Sequence, residues 1–351
     1  MSIIGTTSAA QRSWIGADNT WIDGGSTAFW NPADEPDSDD EAIFNTANTV
    51  LLGSDNLVQI LTMSGGIVLE SDGFRVTVGS QTTLDGSGTV LRLVPHLTPG
   101  TASLFTPNLD INNNAQVALV GGLLDVNTLL EINSGTLSGR GTVTVGDNDA
   151  TVETSLENSS FITVTSGVLT LSTIGVDRLD LDGTSEAGVL DVANVSVLSG
   201  TDIQTLVIDG VLADAFSGTL QVGQRDTVTF NEAFSMSGAD VQLDGGSFVA
   251  TMNGQSATIS TTTVAISNDV VLDNDLTFSG TANVITLNPD STLRLNGTVS
   301  IADASALFRM AGSDLVIAGS TVIQEAAGDF RMDVAPITVL GTGQLTLSVD
   351  Q

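Results

Sequence analysis

The chain contains no cysteine, no lysine and no tyrosine, and each absence excludes a class of chemistry. Without cysteine there is no disulfide framework, no thiolate zinc cluster and no thiol nucleophile. Without lysine and tyrosine, an elimination reaction loses its usual basic and phenolic proton acceptors. The low aromatic content, 4%, also removes the usual stacking platforms for sugars and bases. The composition therefore favours a scaffold over an enzyme.

Basic residues are scarce as well. The 351-residue chain has 41 acidic residues against 9 basic ones, all of them arginine, for a formal net charge of -32. Nucleic-acid binding needs clustered cations, and so does docking on an anionic membrane surface. No apolar run approaches the roughly 20 residues of a membrane span. We therefore expect no nucleic-acid partner and no membrane insertion.

The N-terminal sequence MSIIGTTSAAQRSW has no basic region followed by a continuous apolar core. A secretory signal peptide needs both features. We therefore expect either a complete native product that does not use the general secretory route, or a mature chain with a start methionine added.

A short unit of the form Gly-x-apolar-x-apolar returns along the chain. Its separations scatter over roughly 20 to 30 residues, which is the period of one solenoid coil and not of a hairpin. Alternation within each unit sends one set of side chains inward and the other outward. The sequence thus predicts an all-β, single-stranded β-solenoid. The clearest copies begin at Gly88, Gly141, Gly167, Gly188, Gly218, Gly297 and Gly343.

Three segments are predicted along the chain. Residues 1–12 form a flexible N-terminal arm, and residues 13–48 form a Trp-rich cap holding Trp14, Trp21 and Trp30. Residues 49–351 form the β-solenoid, with an irregular loop at 94–107 that contains three of the seven prolines and the single histidine. Because terminal repeats need atypical caps, we interpret the three tryptophans as a lid on the core. They are also the candidate partner-binding residues.

No catalytic residue is predicted. His96 has no serine nucleophile signature beside it, and the acid pairs Asp180 with Asp182 and Asp273 with Asp275 are read as outward-facing strand or turn acids. No metal site and no cofactor are expected. Calcium remains the alternative at two short acidic motifs, because hard cations take clustered carboxylates. These motifs are 147–149 (Asp-Asn-Asp) and 273–275 (Asp-Asn-Asp).

The N-terminal pattern resembles the opening of autotransporter-type passenger repeats. The resemblance implies a right-handed parallel β-helix whose coils contain the Gly-x-Leu-x-Leu unit. It covers the first ~90 residues, and the rest follows only in repeat style. Two departures concern the secretion route, because from this sequence we expect neither a signal peptide nor a C-terminal barrel of alternating strands. The matching residues are Trp14, Gly16, Trp21, the 29–31 segment Phe-Trp-Asn, Pro36, the 40–44 segment Asp-Glu-Ala-Ile-Phe, and the strands that begin at Thr49 and Val58.

The first functional hypothesis is a non-enzymatic structural surface protein of a virus particle, namely a bacteriophage decoration, fibre or spike protein built on this fold. Its partners are other virion structural proteins or further copies of itself, with a homotrimer by analogy to fibres, and a host surface glycan is an alternative partner. The second hypothesis is a passenger fragment of a bacterial secreted adhesin, located outside the cell or on its surface. The third is a polysaccharide depolymerase.

Overall fold

The computed structural model describes most of the chain as stacked β-strands. The described residues are 9–16, 19–21, 30–32, 35–101, 103–147, 154–181, 188–192, 204–223, 225–255, 257–260, 262–278, 284–301, 307–311, 314–325, 330–333, 337–339, 341 and 344–349. They contain strands, turns and bends, and no helix. Two compact units divide the chain, residues 1–150 and 151–351.

The first unit contains twelve strands in its described part. They are β1 Ala10–Trp14, β2 Asn19–Trp21, β3 Trp30–Asn31, β4 Asp40–Phe44, β5 Thr49–Leu52, β6 Asn56–Met63, β7 Val68–Glu70, β8 Val76–Asp85, β9 Val90–Leu93, β10 Leu104–Asn112, β11 Gln116–Asn133 and β12 Thr136–Val145.

The strands of this unit stack in three parallel ladders. One ladder runs β1, β4, β6, β8, β10, β11, and a second runs β2, β5, β7, β9, β11, β12. The third joins the first halves of β6, β8 and β10 to later parts of β11 and β12. A long strand such as β11 therefore bends around a corner and contributes to all three ladders. β3 is the exception, because it pairs antiparallel with β1.

The second unit also consists of stacked parallel strands. They are β13 Thr154–Asn158, β14 Phe161–Thr173, β15 Arg178–Asp180, β16 Val189–Val192, β17 Gln204–Asp209, β18 Val211–Leu212, β19 Thr219–Val222, β20 Thr227–Phe230, β21 Phe234–Ser237, β22 Asp240–Gly254, β23 Ala257–Ser260, β24 Thr263–Leu272, β25 Leu276–Phe278, β26 Val284–Leu287, β27 Thr292–Leu295, β28 Val299–Ile301, β29 Leu307–Ala311, β30 Asp314–Ile317, β31 Ser320–Glu325, β32 Phe330–Asp333, β33 Ile337–Val339 and β34 Gln344–Val349.

The parallel register places like side chains over one another. In the first unit, one inward column is fully buried from coil to coil. The residues above and below each member shield it from water, so the column forms one continuous hydrophobic core. The column consists of Phe44, Met63, Leu84, Ile111 and Ile132.

Turn residues allow the chain to change direction between ladders. Asn113 and Asn114 adopt positive φ angles of 50° and 63° between β10 and β11, a conformation that asparagine tolerates better than most residues. Gly139 lies in β12 at φ 111°, where an added Cβ would collide with the carbonyl oxygen of Leu119. Asparagine and glycine at these positions therefore have a steric reason.

The prediction of an all-β, single-stranded β-solenoid with an N-terminal aromatic cluster is confirmed. The right-handed sense of its winding stays a prediction. Parallel stacking already includes β2, which lies inside the predicted 13–48 cap, and β1, which crosses the predicted boundary between the arm and the cap. The predicted arm overlaps β1 at residues 10–12, and its first eight residues lie outside the described part of the chain.

Candidate functional site

The three tryptophans come together at the first coil. Trp14 is the last residue of β1, Trp21 the last of β2 and Trp30 the first of β3. The antiparallel pairing of β1 with β3 sets Trp14 directly opposite Trp30. Three short strands thus deliver three indoles to one place, and β4 adds Phe44 from below.

The indole of Trp30 packs edge to face against the other three rings, and Phe44 is tilted against Trp14 and Trp21. Ring centroids lie 5.1 Å apart for Trp14 and Trp30 and 5.5 Å apart for Trp21 and Trp30. Phe44 contacts all three indoles at 5.2 to 5.7 Å. Such offset and T-shaped pairs add about 0.5–1.5 kcal/mol each beyond their area burial. We call these four residues the tryptophan cluster.

The surroundings of the tryptophan cluster are fitted to it. An added Cβ at Gly16 would lie 2.9 Å from Cζ2 of Trp14, so only glycine leaves room for that ring. The carbonyl of Gly16 accepts a hydrogen bond of 2.8 Å from the side chain of Asn48. Beside the cluster, Arg12 Nε donates to Asp40 Oδ2 at 3.2 Å, and both side chains are largely buried.

The three tryptophans have almost no surface exposed: Trp14 and Trp21 are 0% exposed and Trp30 is 1% exposed. Their geometry is that of a packed core at the first coil. A partner-binding role for Trp14, Trp21 and Trp30 stays a prediction, and it would require the cluster to open or the partner to touch its rim.

An acidic run, Asp37, Asp39, Asp40 and Glu41, lies between Trp30 and Phe44 and is only partly exposed to water. Asp37 and Asp39 are exposed, and the carboxylate of Asp37 accepts the N–H of Asp39 at 3.0 Å, forming a turn. Glu41 accepts hydrogen bonds from Gln11 at 3.0 Å and from Thr62 at 2.7 Å. The run therefore includes residues that hold neighbouring strands together as well as solvated ones.

The irregular loop at 94–107 is anchored by its histidine. Thr98 N–H donates to Nδ1 of His96 at 2.9 Å, so Nε2 faces Asp55 Oδ1 at 3.0 Å as the donor. Burial acts to raise the pKa of Asp55, but the hydrogen bonds from Arg75 N–H and His96 lower it below its usual value. β10 begins at Leu104, so the last four residues of the predicted loop belong to a strand. The hydrogen bond from His96 to Asp55 thus holds the predicted loop against the neighbouring coil.

The acid pairs considered from sequence have local partners where they are described. Asp273 accepts a hydrogen bond from the side chain of Asn296, and Asp275 accepts the N–H of Thr298 at 2.6 Å. Asp180 is 8% exposed, whereas Asp182 lies outside the described residues. Of the motif at 147–149, only Asp147 is described.

No cluster of three or more acidic or histidine side chains suited to a metal ion occurs within the described ranges. Calcium binding and the absence of a cofactor both stay predictions. Likewise, no helix in this part of the chain is long and apolar enough to cross a membrane.

Sequence reasoning missed two half-buried carboxyl groups in the β10–β11 region. Burial raises the pKa of Asp125, which lies opposite Phe105 of β10. Burial, followed by the neighbouring charge of Glu131, raises the pKa of Asp110. In a strand, an outward acid looks like any other until the register is known, so the sequence held no separate signal for these two residues.

Comparison of this chain with protein families, with curated proteins and with solved structures finds no match. The class that the fold defines is the parallel β-solenoid proteins with an aromatic cluster at the N-terminal end.

Proposed function

We propose that this protein is a non-enzymatic structural component of the outer surface of a virus particle, serving as a decoration, fibre or spike protein of a bacteriophage. The observation that carries the proposal is the continuous inward column of the first unit, Phe44 to Ile132, over which every coil adds backbone pairing and buried apolar area. Such a stack provides a self-supporting body whose useful property is its shape and surface.

The charge of the chain supports the same proposal. A net charge of -32 keeps many copies apart in solution and disfavours contact with nucleic acid. The partners that we propose are other virion structural proteins or further copies of this chain in a homotrimer, with a host surface glycan as the alternative. The proposed location is the virion surface.

The experiment is mass spectrometry of purified virus particles from the culture that produces this chain. We expect peptides of the chain at a stoichiometry comparable to a structural protein, and antibody labelling on the particle surface. A matched fraction from uninfected cells serves as control. Finding the chain only in that cellular fraction would contradict the proposal.

A passenger fragment of a secreted bacterial adhesin is the second candidate, favoured by the tryptophan cluster at the start of a parallel β-solenoid. It places the chain outside the cell or on the cell surface. The parent reading frame decides this case: an upstream export signal and a downstream membrane barrel would support the adhesin and contradict the virion protein.

A polysaccharide depolymerase, the third candidate, would release new reducing ends from capsular or algal glycans.

A further inference from the structure

Two carboxyl side chains stand one above the other on the outside of neighbouring coils. The parallel register of β10 and β11 pairs Asp110 with Glu131, and the register of β8 and β10 pairs Asp110 with Thr83. Strands in adjacent coils lie about 4.8 Å apart. Residues paired in this way point to the same side of the sheet, so their side chains are direct neighbours.

The register sets Asp110 directly beside Glu131, so the two carboxyl side chains are neighbours on the same side of the sheet. Both side chains are half-buried. A hydrogen bond between two carboxyl groups needs one proton, because two carboxylates offer only acceptors. When both groups are ionised, the like charges directly opposite each other destabilise the strand pair.

The groups that face Asp110 do not compensate this charge with a cation. From β8 they are Thr83 and Gln81, whose side chain donates a hydrogen bond to Asp110, and from β11 the facing group is Glu131. The nearby carboxylate Asp85 already accepts a hydrogen bond of 2.6 Å from Asn113. Burial and the charge of Glu131 raise the pKa of Asp110, against the opposing hydrogen bond from Gln81.

We propose that Asp110 and Glu131 form a pH-dependent contact between β10 and β11, which we call the clamp. The two side chains share one proton at acidic pH and repel each other when both are ionised. A carboxyl group whose pKa is raised on folding binds its proton more tightly in the folded state. Its stabilising contribution is complete below the ordinary aspartate pKa of about 3.9. That contribution is lost as the pH rises through the higher folded-state value, so the clamp weakens towards neutral pH.

The test compares the melting temperature at about pH 7.5 and about pH 5 for the wild type, Glu131→Gln and Asp110→Asn. The melting temperature of all three proteins should rise on acidification, because protonation reduces the net negative charge from its value of -32 at neutral pH. Glu232→Gln is the matched control: Glu232 is exposed, and its removal changes the net charge equally. We expect the control to keep the wild-type difference between the two pH values.

For Glu131→Gln and Asp110→Asn we expect a higher melting temperature than wild type at neutral pH and a smaller gain on acidification. A carboxyl titration of Asp110 by nuclear magnetic resonance gives an independent readout, in which Glu131→Gln shifts the Asp110 midpoint to lower pH. An unchanged pH difference in both variants, or an unchanged Asp110 midpoint, would overturn the proposal.

Discussion

The first coil and the coils of the second unit fill the same kind of interior with different side chains. The first coil uses three indoles and one phenyl ring, all nearly or fully buried. In the second unit, the interior column beneath Val222 consists of aliphatic residues: Leu243, Ile266 and Leu287. β1 has a full parallel strand on one side and only the two-residue β3 on the other. The large aromatic side chains of the first coil therefore fill the space that a further stacked coil fills elsewhere.

Buried polar groups also contribute to the interior of both units. In the second unit, Asn158 is 0% exposed and bonds the backbone at a corner. Asn158 donates to the carbonyl of Leu181 at 3.0 Å and accepts the N–H of Ser160 at 3.1 Å. Hydrophobic area therefore maintains the first coil, and satisfied hydrogen bonds maintain this corner.

Trp21→Ala should have the largest effect, because it removes the side chain that closes the tryptophan cluster. We expect a loss of about 3–5 kcal/mol in the free energy of unfolding, as for other large aromatic truncations in cores. Phe161→Ala is the control: Phe161 is 49% exposed, and its truncation should change stability by about 0.5 kcal/mol or less. Denaturant unfolding followed by circular dichroism measures both. Equal effects would contradict the role assigned to the cluster.

Asn158→Ala should come next, with a loss of about 1–3 kcal/mol. The substitution leaves the buried N–H of Ser160 and the carbonyl of Leu181 without their partner. Asn231→Ala provides the comparison, because Asn231 is exposed and its side chain bonds the exposed side chain of Asp209. Chemical denaturation of both variants measures the difference, and a similar small loss in each would refute a structural role for the buried amide.

Asp125→Asn should stabilise the protein at neutral pH, by less than about 1 kcal/mol after solvent screening. Burial raises the pKa of Asp125, so its ionisation costs stability as the pH rises, and asparagine removes that cost. The gain should disappear in acid, where the aspartate is already protonated. Melting curves across this pH range measure the effect, and a gain that persists in acid would point to a different cause.

Glu70→Gln should have the smallest effect. Arg92 lies 3.5 Å from Glu70 on the outside of the coil, and its side chain is 47% exposed. Exposed ion pairs contribute about 0–1 kcal/mol, so we expect a shift in melting temperature close to the error of the measurement. A large loss would mean that the exterior contributes to stability in a way that the interior columns do not explain.

Much of the fold could be predicted from the sequence because the repeat determines it locally. Six of the seven glycine-led units named from the sequence coincide with strands, for example Gly88 with β9 and Gly218 with β19, and the described residues of the seventh belong to β34. The glycine marks a corner, and the alternation of the next four residues decides which side chains enter the core.

The rest depends on register, which the sequence does not contain. Coils differ in length, so nothing along the chain indicates that Asp110 stands beside Glu131. The antiparallel β3 has only two residues and no repeat motif. For the same reason, the tryptophans could be identified as a cap from composition, while their complete burial required the packing of β1, β2 and β3.

Tryptophan fluorescence tests the central claim most directly, because all three tryptophans of the chain belong to the cluster and tyrosine is absent. A buried cluster predicts emission shifted to the blue of free tryptophan and weak quenching by acrylamide, with Trp21→Ala moving the remaining emission to the red. Red emission with strong quenching in the intact protein would contradict the account, and would identify Trp14, Trp21 and Trp30 as an exposed contact surface.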